Sequence, residues 1–193
     1  MGDPKRQRRR FQTPRYPWLR GELDAELRLI GQYGLRNKHE LWRAQAVLSK
    51  YRTTARSLLA EPSESRAKHE RELLKKLSSL GMIAETASLD DVLGLSVQDI
   101  MERRLQTIVL RKGLASTPQQ ARQIVTHGHV SVGGRRVTVP GYKVSREEEE
   151  TVSYASTSPV LKTDHPVRKG IEAALRAPGR VELKEANQRG SKA

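Results

Sequence analysis

The apolar residues in the first half of the chain recur at intervals of three, four and seven, which is the spacing of a buried helical stripe. Leu23, Leu27 and Ile30 form the first stripe, which ends at Gly34. A longer second helix follows, and Pro62 begins a third. The apolar positions of these later helices are Leu41, Ala44, Leu48, Tyr51, Ala55 and Leu58, then Leu73, Leu77 and Leu80 before Gly81, then Leu89, Val92 and Leu93. We therefore predict a helical subdomain over residues 21–95.

Two further helices are predicted after this subdomain. The first spans Ser96–Lys112, with Ser96 as N-cap and a buried stripe of Val97, Ile100, Met101, Leu105 and Ile108. The second begins at Thr117, which is followed by Pro118 and, three residues after the cap, by Gln120, as in a capping box. Its apolar stripe is Ala121, Ile124 and Val125, and Gly128 ends it.

After the second helix, apolar and polar residues alternate, which predicts a β-hairpin. Gly133-Gly134 supplies the positive φ angles of a two-residue turn. Pairing across that turn sets Val132 opposite Arg135, Ser131 opposite Arg136 and Val130 opposite Val137. One face of the hairpin is then mostly valine, and the other carries His129, Ser131, Arg136 and Thr138. Tyr142–Val144 is a candidate for a third strand, and Thr151–Tyr154 is a further predicted strand.

Several runs of these residues resemble the S-four RNA-binding domain, in the variant of the archaeal and eukaryotic small-subunit ribosomal protein S-four family. The runs are Arg103–Leu105, Gly113–Ala115, Gln120–Val125, His127–Gly134 and Val139–Val144. Two positions depart from the family pattern. Thr117-Pro118 stands where many such domains have Ser-Arg, which removes one phosphate contact, and Gly133-Gly134 stands where Asn-Gly is usual.

The resemblance, together with the helical first half, implies an α+β protein. Its N-terminal helical subdomain is followed by an S-four (alpha-L) module, in which two helices pack on a small antiparallel sheet, and basic extended tails flank both. The predicted parts are a basic arm over residues 1–20, the helical subdomain over 21–95, the RNA-binding domain over 96–160 and a basic C-terminal tail over 161–193.

Positive charge is segregated along the chain. Of the net charge of +14, residues 1–20 carry +6 and residues 101–143 carry +7, whereas residues 21–100 are neutral. Such segregation favours a polyanionic partner, and the motif identifies it as nucleic acid. The basic residues of the helical subdomain, such as Arg52 and Lys75-Lys76, are interpreted as a solvated face.

The composition also excludes several functions. There is no cysteine, so disulfides, thiolate catalysis and cysteine-based zinc sites are ruled out. His127 and His129 form an H-x-H pair, but no third ligand lies near in sequence, so we expect neither metal nor cofactor. No apolar run of membrane-spanning length and no secretory signal occurs, so we expect a cytoplasmic protein that does not contact membranes.

The candidate RNA-binding residues come from the two basic regions. In the arm, aromatic residues alternate with arginines, which favours an arm that folds along RNA over a disordered one. In the module, we expect Arg104 and Arg111, seven residues apart, to flank the same groove as Arg122. The full set is Arg8, Arg9, Arg10, Arg15, Trp18, Arg103, Arg104, Arg111, Lys112, Gln119, Arg122, Gln123, Thr126, His127, His129, Arg136 and Lys143.

The resemblance implies a structural ribosomal protein that binds small-subunit rRNA early in assembly, contacts ribosomal proteins S-five and S-twelve, and contributes to translational accuracy. No catalytic motif occurs and no small-molecule substrate is expected, so we predict no enzymatic activity. The alternatives are an RNA-modifying enzyme or a translational repressor with an S-four domain.

Two segments keep more than one interpretation. The acidic run Glu147–Glu150 could cap the sheet, repel RNA from the wrong face or form a solvated loop. The segment from Pro178 onward is polar and basic, and predicts a tail that is flexible or becomes ordered on RNA.

Overall fold

The computed structural model describes residues 8–162 and 164–176, and the prediction for the segment from Pro178 lies outside them. The chain divides into two compact units, residues 1–103 and residues 104–193. The helices of the first unit are α1 (Arg20–Tyr33), α2 (Lys38–Ala60), α3 (Ser63–Ser79), α4 (Leu89–Gly94) and α5 (Val97–Glu102). None of the helices in the described part of the chain has the length and apolar character needed to span a bilayer.

The core of the first unit confirms most of the predicted helical stripes. The buried residues of α2 are Leu41, Ala44, Leu48, Ala55 and Leu58, and they pack with Leu77, Leu89 and Val92. Helix α1 differs from the prediction, because Leu27 is 51% exposed and the buried residue of α1 is Tyr33. Helix α1 ends at Gly34, whose φ of 58° is left-handed, as predicted for a glycine C-cap.

The predicted single helix Ser96–Lys112 is wrong, because it is broken at Arg103 and Arg104. Helix α5 ends at Glu102, and α6 (Leu105–Arg111) begins after Arg104, whose backbone is extended. Arg104 forms an antiparallel bridge with Lys143, and the Leu105 N–H donates to the Tyr142 carbonyl at 2.8 Å. These long-range bonds satisfy backbone groups that a continuous helix would have bonded internally.

The second unit packs helices on a three-stranded antiparallel sheet, so the predicted α+β class is confirmed. Its remaining elements are α7 (Pro118–Thr126), β1 (Val130–Val132), β2 (Arg135–Arg136), α8 (Arg146–Thr151), β3 (Ser153–Tyr154), a 3₁₀ turn (Pro159–Leu161) and α9 (Pro166–Arg176). The strand order is β2-β1-β3. The core of this unit includes Leu105, Ile108, Ala121, Ile124, Val125, Val130 and Ile171.

The predicted hairpin register is confirmed. Val132 pairs with Arg135 and Ser131 with Arg136, and Gly133 and Gly134 have φ angles of 56° and 76°. Ser131 lies on the hairpin face opposite the valines, yet it is buried. It is only 6% exposed because β3 pairs on that side of β1 and brings Ser153 opposite it.

Three elements after the hairpin differ from the prediction. Tyr142–Val144 is not a strand but forms an isolated bridge, between Lys143 and Arg104, and the third strand is Ser153–Tyr154, inside the predicted Thr151–Tyr154 segment. The acidic run is not a loop but forms α8, which Ser145 caps by accepting from the Glu148 N–H at 3.2 Å. Helix α9 lies where a basic tail was predicted, with Ile171 buried in the core.

Both ends of α7 are fixed by local hydrogen bonds. Thr117 accepts from the Gln120 N–H at 3.1 Å, whereas the Gln120 side chain accepts from the Ser116 N–H at 2.7 Å, so the predicted capping box is only half formed. At the other end, the Gly128 N–H donates to the Val125 carbonyl and the His129 N–H to the Ile124 carbonyl. This is a Schellman motif, with Gly128 at a φ of 75°.

Candidate nucleic-acid interface

The polar side of α7 is open to solvent. Gln119, Gln123 and Thr126 are exposed and Arg122 is half-buried, whereas Ala121, Ile124 and Val125 face the core. The amphipathic split therefore leaves one helix edge of amide, hydroxyl and guanidinium groups facing outward. Such groups suit phosphate and sugar contacts. That these residues bind RNA stays a prediction.

Arg136 is held at the C-terminal end of α7. Its Nη2 donates to the His127 carbonyl at 3.0 Å, and its guanidinium lies directly over Gly128. A Cβ at residue 128 would displace the flexible end of Arg136 from this position, whereas the positive φ of residue 128 is what requires glycine. Arg136 therefore approaches the Gly128 backbone closely, within the same unit.

His127 and His129 lie close together, with ring centroids 6.1 Å apart. The His129 Nδ1 is 3.0 Å from the Ser158 hydroxyl. Burial lowers the pKa of His129, and the nearby His127, Arg136 and His165 lower it further. The ring of His129 is therefore neutral near pH 7 and serves as a hydrogen-bonding group. Among the described residues, no three His, Cys, Asp or Glu side chains come together to hold a metal ion.

The remaining basic residues of the module are in different surroundings. Arg104 is 8% exposed and is the N-cap residue of α6, whereas Arg111, in the last turn of α6, is exposed. That the two flank one groove stays a prediction. The Lys112 ammonium donates to the carbonyls of Glu150 at 3.0 Å and Val152 at 3.3 Å, which places its charge at the C-terminal end of α8. Lys143 is half-buried beside the bridge to Arg104.

Sequence reasoning missed Arg135 as a candidate. Arg135 is exposed in β2, next to the candidate Arg136. The signal was available, because the Gly133-Gly134 turn places Arg135 at a solvent-facing hairpin tip. Arg135 adds a second guanidinium at this edge of the second unit.

In the first unit, the arm separates into exposed and packed residues. Arg8, Arg9, Arg10 and Arg15 are exposed, and Trp18 is 86% exposed. Phe11 instead stacks on His39, with ring centroids 4.7 Å apart. Arg103 is half-buried, and its guanidinium lies against Gly81.

Hydrogen bonds hold the Glu148 carboxylate of helix α8 in place. Glu148 accepts from the Ser145 N–H at 3.0 Å and from the Tyr142 hydroxyl at 2.8 Å. The bond from the Ser145 backbone, then the one from Tyr142, lowers the pKa of Glu148. The acidic run thus contains a structural carboxylate that ties α8 to residues 142–145.

Comparison with known proteins gives the class first. Residues 103–150 match the family description "S4 domain", and residues 2–102 match "Ribosomal protein S4/S9 N-terminal domain". The resemblance seen in the sequence is thereby confirmed. The chain is built from an S4 domain preceded by the N-terminal domain of ribosomal S4/S9 proteins.

Curated relatives identify the family. The small ribosomal subunit protein uS4 of Ignicoccus hospitalis is 55% identical over 162 residues, which cover 84% of this chain and 98% of that protein. The uS4 of Sulfurisphaera tokodaii is 51% identical over 178 residues, 92% of this chain and 100% of that protein. The uS4 of Saccharolobus solfataricus is 48% identical over 187 residues, 96% of this chain and 100% of that protein. The chain belongs to the uS4 family of small ribosomal subunit proteins.

Proposed function

We propose that this chain is a structural component of the cytoplasmic small ribosomal subunit and binds its rRNA directly. The observation that carries the proposal is the outward-facing polar edge of α7, next to Arg135 and Arg136 at the hairpin, inside a matched S4 domain. Membership of the uS4 family supports the ribosomal setting.

The side chains along this edge suit recognition of RNA by its folded shape better than recognition of a base sequence. Gln119 and Gln123 provide amide donors and acceptors, and the N-terminus of α7 favours anions. Guanidinium groups at Arg122, Arg135 and Arg136 fork onto phosphate oxygens. A rigid surface of this kind reads backbone shape at a helix junction, since side chains do not reach into the deep groove of A-form RNA.

The proposal extends to assembly and to partners. A rigid domain with a basic arm would bind rRNA early and help nucleate the subunit body, and by resemblance the chain would contact ribosomal proteins S-five and S-twelve and contribute to translational accuracy. In this reading the chain has no catalytic activity of its own. Family membership favours it over an RNA-modifying enzyme or a repressor.

Crosslinking to RNA, followed by sequencing of the crosslinked fragments, tests the proposal. We expect the fragments to map to one junction of small-subunit rRNA. Crosslinks to tRNA or scattered mRNA would contradict it and support an alternative. A salt series with the same rRNA fragment provides a second test, since affinity should fall steeply with salt as counterions are released. A flat dependence would contradict binding through phosphates.

A further inference from the structure

The aromatic residues of the arm are in opposite situations. The Phe11 ring stacks on the His39 ring, with 4.7 Å between the ring centroids and 23° between the ring planes. The Arg9 guanidinium lies over the Phe11 ring, 4.4 Å from its centroid, and Trp42 is 5.9 Å away. Contacts of this kind stabilise by dispersion and by attraction of a cation to a ring face. Phe11 is therefore already engaged within the protein.

Helix α1 holds in place the part of α2 on which Phe11 packs. The Trp42 indole N–H donates to Glu26 Oε1 at 2.9 Å, and the Lys38 ammonium pairs with Glu26 Oε2 at 3.1 Å. One carboxylate thus fixes two residues of α2, a helical turn apart, next to His39. Phe11 binds to a surface that is ordered before any ligand arrives.

A tight turn follows between Phe11 and α1. The Leu19 N–H donates to the Tyr16 carbonyl at 3.3 Å, with Pro17 at the second position of the turn, which it favours. Trp18, at the third position, is 86% exposed, and Tyr16 is 60% exposed. Residues 12–19 are therefore a loop attached at both ends, at Phe11 and at the start of α1. It presents Trp18 and Arg15 to solvent.

We propose that Phe11 is a positioning residue, which clamps the arm onto His39 and Trp42 so that Trp18 and the flanking arginines are ordered before RNA binds. Trp18 is then the side chain that stacks on an unpaired base, and Arg8–Arg10 and Arg15 bind phosphates on either side of the clamp. The inference rests on the proposed rRNA-binding function and deepens it. An arm ordered in advance loses less conformational entropy on binding.

The first test uses the full chain without RNA. Trypsin should cleave wild type slowly after Arg15, because the loop is held at both ends, and should cleave the Phe11→Ala variant several-fold faster. Phe11→Tyr keeps a ring that stacks on His39 and should restore slow cleavage. Leu59→Ala, which removes an exposed apolar side chain from the far end of α2, is the matched control and should change nothing. Equal cleavage of wild type and Phe11→Ala would overturn the inference.

The second test measures affinity for a small-subunit rRNA fragment. Phe11→Ala should lower affinity about tenfold with only a small decrease in melting temperature, because the arm must then be ordered during binding. Trp18→Ala should cost less in the Phe11→Ala background than in wild type, since an unclamped Trp18 is no longer in place. Additive losses would overturn the inference.

Failure of this inference is distinguishable from failure of the proposed function. Wild type that binds the fragment but tolerates Phe11→Ala contradicts the clamp alone. A loss of affinity in Phe11→Ala with unchanged cleavage assigns Phe11 a direct RNA contact and also contradicts the clamp. Wild type that does not bind the fragment contradicts the proposed function and, with it, the inference.

Discussion

The two basic regions of the chain use a similar excess of charge in different ways. Residues 1–20 carry a net charge of +6 and residues 101–143 carry +7. In the arm, Arg8 and Arg10 are exposed on an extended segment. In the module, Arg136 bonds the end of α7 and Lys112 bonds the end of α8. Two basic side chains of the module therefore also bind helix ends within the fold, which net charge along the sequence does not reveal.

This difference predicts a division of roles. The arm contributes long-range attraction and phosphate contacts, which add affinity without selecting a site. The module contributes a rigid edge whose shape selects the RNA junction. Changes in the arm should weaken binding to all RNA, whereas changes on α7 should weaken the specific complex most.

The largest effect is expected from the triple substitution of Arg8, Arg9 and Arg10 by alanine. If each binds a phosphate, the slope of log affinity against log salt should fall by about three, and affinity for specific and non-specific RNA should fall alike. Stability should change by less than about 0.5 kcal/mol, since all three side chains are exposed. Filter binding across a salt series measures the slope.

The matched control for the arm replaces three exposed lysines of α3, namely Lys68, Lys75 and Lys76, by alanine. It removes the same charge from a region interpreted as a solvated face. An equal loss of slope in the control would show that total charge, not the arm, determines binding, and the comparison between the regions would fail.

A smaller effect is expected for Arg122→Ala in the module. It should weaken specific RNA binding by about 1–3 kcal/mol, the typical worth of hydrogen bonds to charged groups, and hardly change folding. Gln123→Ala should cost less. Ile124 lies on the buried face of α7 and is 4% exposed, so Ile124→Ala should instead destabilise the fold by about 2–5 kcal/mol. Thermal melts with RNA titrations separate these outcomes. Early melting of Arg122→Ala with full affinity when folded would make that residue structural.

The contrast between α7 and the broken helix before it shows what the sequence could predict. The cap at Thr117, the stripe through Ile124, the end at Gly128 and the hairpin register are local patterns, so they were predictable. The break at Arg104 depends on pairing with residues 140–143, far along the chain. No local pattern records such pairing, and the apolar spacing continued through the break.

The missed helices and site contacts have related causes. Helix α8 is a run of glutamates without a buried residue, so its sequence has no apolar periodicity, and only the N-cap Ser145 indicates a helix there. Helix α9 depends on Ile171 within a basic segment. Lys112 was a candidate for RNA and Phe11 is one of the aromatic residues of the arm, but their internal partners, Glu150 and His39, are known only from the fold.

A still smaller effect is expected from Lys112→Met, which keeps the aliphatic stem and removes the ammonium. The carbonyls of Glu150 and Val152 then lose a charged donor at the end of α8. We expect a loss of about 1 kcal/mol in the free energy of unfolding, measured by urea titration, with affinity for rRNA nearly unchanged. Lys68→Met, which removes an exposed ammonium from α3, is the control and should change neither quantity. A large loss of RNA affinity without loss of stability would show that Lys112 binds RNA and would weaken the contrast with the arm.

The smallest effect concerns pH and His129. Its folded pKa lies below the ordinary value of 6.5, because burial and then the electrostatic effect of His127, Arg136 and His165 disfavour the imidazolium. The unfolded chain therefore binds this proton more readily, so the stabilising contribution is complete above pH 6.5 and is lost as pH falls towards the folded pKa. His129→Asn should remove this part of the acid sensitivity. Between about pH 7 and pH 5, we expect the melting temperature of wild type to fall by up to about 2 °C more than that of the variant. A variant whose melting temperature falls as much as that of wild type would show that His129 is not the titrating group.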